Sequence, residues 1–218
     1  MMDLSVYFLT SFLITFIWTV ISKRSFNSFL LCIYHFIIGG LYLHYSLNNF
    51  SDAQEYFSFG SLSACKFTDS LNRFDISNPF LIYCTSGLLK KILNNYGFVS
   101  SVFTFLGFLG LNYFYLLSLN LTKSKNFYFI LLNTLFFLPS ISFWTSGISK
   151  ESLLIVAYSL IIKFVYLENH LFKFKNFFQL TLGLVMTLFI RPYIFLFVIV
   201  SILFSSLPDI FNIFKDKD

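Results

Sequence analysis

Residues 98–121 read FVSSVFTFLGFLGLNYFYLLSLNL. No charged side chain interrupts this stretch, and polar residues do not alternate with apolar ones. A strand of a membrane barrel needs alternating polarity, whereas this run is apolar on every side. Lipid offers no hydrogen-bond partners, so each backbone N–H and C=O must be satisfied within the segment, which a helix does. The run therefore predicts a transmembrane helix, followed at once by Lys123 and Lys125.

Similar runs cover most of the remaining chain: 4–21, 29–47, 127–143 (interrupted by Pro139), 152–167, 177–190 and 193–207. Of 218 residues, 57% are hydrophobic and only 11% charged, and mean hydropathy is +0.76. Soluble domains carry ~25% charged residues. Too few polar side chains are present to cover a water-facing surface, which excludes a soluble domain, a disordered chain and a disulfide scaffold. The expected fold is all-α: a single polytopic transmembrane helical bundle, surrounded by lipid bilayer, over 1–218. One long polar loop, 48–78, breaks the apolar pattern. No basic region precedes the first run, so a cleaved signal peptide is not expected.

The net charge of +5 reads as a topology signal, not as a nucleic-acid footprint, because no basic run exceeds Lys23-Arg24 or Lys90-Lys91. The segment 79–97, PFLIYCTSGLLKKILNNYG, decides the topology. If it spans, Lys23-Arg24 and Lys123/Lys125 fall on opposite sides. If it lies in the interface as an amphipathic or re-entrant helix, Lys23, Arg24, Lys123, Lys125, Lys173, Lys175, Lys215 and Lys217 share one side, as the positive-inside rule favours. The expectation is about seven spans plus that interfacial helix, with the N-terminus outside and the C-terminus cytoplasmic. Residues 177–207 form two short spans in this reading. One helix would be ~45 Å long, and Pro192 blocks a regular helix there. Lys163 costs at most ~3 kcal/mol at mid-bilayer, less than its apolar neighbours return, and it can snorkel.

This topology gathers ionisable residues from distant parts of the chain on the outer face: the Asp52 loop, the connection 145–151, and Arg191-Pro192. Intramembrane or boundary ionisable groups are functional candidates by default. A carboxylate at Asp52 or Glu55 can deprotonate a hydroxyl; it can also be a helix cap in a solvated loop. In FWTSGISKE (143–151), Trp144 reads as an interfacial aromatic, Ser149 as an N-cap and Glu151 as a first-turn acid. The same helix start, with its free N–H groups and Lys150, suits a phosphate. Arg191 reads either as a snorkelling anchor or as a planar fork for pyrophosphate.

Other signals are weaker. Cys65 and Cys84 can pair if their loop is extracytoplasmic, while Cys32 lies in an apolar run; none has metal spacing. His35 and His44 stand ~180° apart on a helix and cannot share a metal. Thr104, Gly107 and Gly110 suit close helix packing. Asn49-Phe50-Ser51 fits a glycosylation sequon, relevant only in a secretory-pathway host. No ligand motif for a metal or cofactor is present, which leaves a divalent metal open.

Asp52-Ala-x-x-Tyr56 after the second run, Leu138-Pro139-Ser140 with FWTSGISKES (143–152), and Arg191-Pro192-Tyr193 together resemble bacterial multi-pass proteins of surface-polysaccharide assembly. These are the GT-C glycosyltransferases and the EpsG-like O-antigen polymerases. The order and spacing of the three motifs, over about 48–193, carry the resemblance. It implies a bacterial inner-membrane protein acting on a polyprenyl-phosphate-linked sugar at the extracytoplasmic face. The acid of the first outer loop maps to Asp52, with Glu55 as alternate. The phosphate-binding cations map to Lys150 and Arg191, and Tyr56, Trp144 and Tyr193 line the site. Members of these families usually have more spans, so the resemblance also implies a truncated or minimal member, or one completed by a membrane protein partner. The alternative function is a non-catalytic membrane subunit or flippase-like helper that binds lipid-linked glycan. A transporter ranks lower, because the spans lack carboxylates and no paired broken helices recur.

Overall fold

The computed structural model describes residues 2–22, 26–61, 80–122, 130–131, 134–167 and 174–215. Among them there is no strand. The helices are α1 (Met2–Ser22), α2 (Phe26–Asn48), α3 (Asp52–Phe59), α4 (Phe80–Ile92), α5 (Tyr96–Thr122), α6 (Pro139–Trp144), α7 (Lys150–Leu167), α8 (Phe174–Ile190) and α9 (Pro192–Lys215). Three carry stretches long and apolar enough to cross a membrane: Met2–Ile21, Phe26–Asn48 and Tyr96–Asn120. Two shorter apolar stretches, Phe177–Ile190 and Pro192–Phe204, flank Arg191. The chain therefore has the character of an integral membrane protein in contact with the bilayer. The outward side chains agree: Phe12, Phe16, Ile21, Phe197 and Phe204 are all exposed, which is tolerable where lipid is the solvent.

Prolines and serines set several boundaries. Pro139 does not kink a longer helix; it occupies the first turn of α6, behind Leu138 in extended conformation. There its missing N–H costs nothing. Pro192 likewise opens α9, leaving Arg191 as the one non-helical residue between two helices. The segment 79–97 is not continuous. Residues 93–95 separate α4 from α5, and α4, with 13 residues, is ~20 Å long against a bilayer core of ~30 Å. The polar loop contains α3, and residues 62–79, its remainder together with Pro79, lie outside the described residues.

The core centres on α5, which packs on α1, α2 and α7, while α7 packs on α8. Lipid gives helices no hydrophobic reason to associate, so close backbone approach through small residues does the work. A Cβ on Gly110 would come within 2.7 Å of the Ile155 carbonyl carbon, and one on Gly183 within 2.8 Å of the Ala157 oxygen. Gly97 lies against the Asp3 carbonyl, and Gly39 against Tyr7 and Thr104. The small residues at 104, 107 and 110 are thus packing positions. Thr104 also has a polar role, as acceptor of the Gly147 N–H.

The connection between α6 and α7 lies inside the bundle, not at its end. Thr145, Ser146, Gly147, Ile148 and Ser149 are all buried. Gly107 is pressed against the Thr145 carbonyl, and Ser146 Oγ lies 3.3 Å from His35 Nε2. Gly147 sits under the Tyr42 ring. Along α2, Tyr42 is ~9 Å and His35 ~20 Å from the Asn48 end, at ~1.5 Å per residue. The connection is therefore packed among α2 and α5 instead of lying as a solvated loop. Its backbone groups cannot rely on water, so side chains satisfy them. The Gly147 N–H donates to Thr104 Oγ1 (3.0 Å), and the Ser152 N–H donates to Ser149 Oγ (3.1 Å). Thr104 in turn donates to the Ser100 carbonyl (2.8 Å).

Candidate functional site

The start of α7 lies at the same end of the bundle as α3 and α4. The longer helices α2 and α5 rise past it, tied near their ends by Tyr96 Oη donating to Ser46 Oγ (2.9 Å). Asp52 is the first residue of α3. Ser51 holds the N-cap position but makes no side-chain cap bond, so the acid lies one position inside the cap, where its charge suits the helix dipole. Asp52 is exposed, and Tyr56, one turn on and 4% exposed, donates a long hydrogen bond to its Oδ2 (3.4 Å). Glu55 accepts from Tyr83 of α4 (2.7 Å). The Tyr56 and Tyr83 rings meet edge to face at 5.2 Å.

Both phenols hold their protons more firmly than a free tyrosine. Burial is the main cause in each. The Asp52 charge adds to it at Tyr56, and the hydrogen bond to Glu55 adds to it at Tyr83. The folded state therefore binds these protons above a free tyrosine's value of 10.0, where the unfolded chain loses them. Stability contributed here is complete below that pH and falls as pH rises past it. Tyr83→Phe is expected to remove ~1 kcal/mol, below the ~1.5–3 kcal/mol of a bond to a charged group because the site is partly solvated. It should also flatten the alkaline limb of a melting-temperature profile. An unchanged profile would show that the bond holds nothing.

Lys150, the first residue of α7, extends over the Tyr56 ring, its Nζ 5.7 Å from the centroid. Arg191 does not stand alone. Its guanidinium forms an ion pair with Glu151, and its Nη1 donates to Tyr193 Oη (3.0 Å). Consecutive Cα atoms are 3.8 Å apart. Lys150 and Glu151 therefore join two groups: Asp52, Glu55, Tyr56, Tyr83 and Lys150 on one side, Glu151, Arg191 and Tyr193 on the other. Tyr42 lies within electrostatic reach of both Glu151 and Asp52. Asp52 and Arg191 thus belong to the same end of the bundle.

No protein-family profile, curated protein or solved structure matches this chain. The arrangement of side chains therefore carries the functional reading.

At the start of α7 the Ser152 N–H already donates to Ser149 Oγ, and Ser152 and Leu153 are buried, while the Lys150 side chain extends toward Tyr56. Trp144 packs its ring on Phe143 (5.4 Å) and is 58% exposed, as an interfacial aromatic would be. Residues that pattern reading missed include Tyr83, Glu151 as a partner of Arg191, and Lys90. Lys90 donates to the Phe57 carbonyl (3.1 Å) and lies over the Phe57 ring (4.7 Å), closing the C-terminal end of α3. The adjacent opposite charges at 150 and 151 were the available signal for Glu151. Among the described residues, no group of three or more His, Cys, Asp or Glu side chains gathers to hold a metal. His35 is buried and His44 exposed. Cys84 is disulfide-bonded and Cys32 is free; Cys65 lies outside the described residues.

Proposed function

We propose that this chain is a bacterial inner-membrane glycosyltransferase or polymerase of surface-polysaccharide assembly, acting on a polyprenyl-phosphate-linked sugar at the extracytoplasmic face. The reading includes about seven spans, with α4 in the interface and the C-terminus in the cytoplasm. What supports it is an exposed carboxylate, Asp52, at the same end of the bundle as two cations, Lys150 and Arg191. The disulfide at Cys84 supports an oxidising, outward-facing side for that end of the bundle.

In this mechanism Asp52 takes the proton of an acceptor hydroxyl. The hydroxyl oxygen bonds to the anomeric carbon as the carbon–oxygen bond to the lipid phosphate breaks, with inversion. Lys150 and Arg191 offset charge on the departing phosphate, the interaction that is usually largest in such chemistry. One base suffices, unlike the paired acids of glycoside hydrolysis.

The second reading, a non-catalytic subunit or flippase-like helper that binds lipid-linked glycan, is favoured by one feature. The Arg191 pairing describes an anion site that needs no base. Activity separates the two. Asp52→Asn should lower polymer formation by ~10²–10⁴, the usual range for a lost general base, at unchanged protein level. If Asp52→Asn makes wild-type polymer while Arg191→Ala does not, the helper reading replaces the enzymatic one.

A further inference from the structure

We propose that Glu151 is a displaceable occupant of the Arg191 site, a carboxylate that a phosphate group exchanges with on binding. The inference rests on the phosphate-binding role of Arg191 given above and adds what controls access to it. A guanidinium binds phosphate through two parallel N–H donors. In this structure the two terminal nitrogens are already engaged, Nη2 by Glu151 and Nη1 by Tyr193. A guanidinium carries five N–H donors, so a phosphate need not expel the carboxylate to be bound, but one that takes the two terminal nitrogens in parallel competes with the carboxylate for Nη2.

Three features make that exchange feasible. The pair is not sealed: the Arg191 and Glu151 side chains are 29% and 38% exposed. Arg191 is the single non-helical residue between α8 and α9, so small backbone adjustments there need not break a helix. The displaced carboxylate also keeps favourable surroundings. It lies in the first turn of α7, at the positive end of the helix dipole, next to Lys150. Its release does not strand a charge in an apolar place, which is the usual reason a partly buried pair stays shut. Glu151 therefore holds Arg191 in position when the site is empty and competes with the anion that fills it.

The test is binding of inorganic pyrophosphate to the detergent-purified full chain, with a parallel arm using vesicles that contain polyprenyl phosphate. Glu151→Gln removes the competing charge and keeps the shape, and is expected to bind ~10-fold tighter than wild type, within the usual range of coupling between sites. Arg191→Gln should abolish binding in either background. Gain in both arms means that the phosphate group itself is read; gain confined to vesicles means a headgroup presented from the bilayer. Glu151→Asp, which keeps the charge, should bind like wild type and controls for folding, together with the gel-filtration profile. If Glu151→Gln binds equally or more weakly while Arg191→Gln still abolishes binding, the exchange is wrong and the phosphate site stands. If wild type and Glu151→Gln both fail to bind in both arms, the phosphate-binding role of Arg191 falls with it.

Discussion

Gly147→Val is expected to leave little or no folded protein in detergent extracts. Gly147 has φ of 66°, in the left-handed region where an L side chain costs ~1–2 kcal/mol, and a β-branched one sits worst. Its Cβ would also overlap the Tyr42 ring. That ring is 7% exposed and packs against Phe143 at 5.2 Å, so it has little room to turn aside. Overpacking of this kind adds ~1–3 kcal/mol. Together, ~2–5 kcal/mol is a large part of the ~5–15 kcal/mol that holds a typical domain folded. The Gly147 N–H to Thr104 bond would be disturbed as well. Gly147→Ala should be milder, with an intermediate melting temperature. Adding Tyr42→Ala to Gly147→Ala removes the collision but not the backbone strain, so recovery should be partial. Wild-type yield and melting temperature for Gly147→Val would mean that 145–149 does not sit beneath Tyr42.

Arg191→Glu should be almost as damaging, and it should be rescued by a second change. It sets a carboxylate against the carboxylate of Glu151. At an effective dielectric of ~20, unit charges 4 Å apart interact by ~4 kcal/mol. Partial exposure of both side chains screens that figure and allows one acid to protonate, so a loss of ~2–3 kcal/mol is expected. The exchange Arg191→Glu with Glu151→Arg restores opposite charges across the α7–α8 contact and should return most of the lost melting temperature. Polymer formation should not return, because the cation then projects from α7 instead of from the joint before α9. A double-mutant cycle isolates the pair. If the exchange is no more stable than either single variant, the ion pair does not hold these helices together. If it also restores polymer, the position of the cation does not matter and the phosphate role of Arg191 is lost.

Much of the architecture was legible because lipid imposes its demands locally. A run such as 98–121 has to be a helix whatever it packs against, and Pro192 has to interrupt one. The serine at 149 declared itself as a cap by the same local logic. The small residues at 104, 107 and 110 marked a packing face for similar reasons. Long-range partners were less legible. Glu151 reads as a first-turn acid in every local window, and only the antiparallel contact of α7 with α8 makes it the counterion of Arg191. Tyr83 lies in a segment whose membrane placement had to be argued from lysines far away, and its role depends on α4 meeting α3.

The amino-acid sequence alone determined that this is a helical membrane protein, and that a helix ends before Pro192. Both follow from the hydrogen-bonding and hydrophobic requirements of a single segment in lipid. Only the tertiary structure decided that the 145–149 connection is buried inside the bundle and that Lys150 and Glu151 link the group around Asp52 to the group around Arg191. Those facts depend on which helices touch and at what depth, and no single segment encodes its neighbour's register.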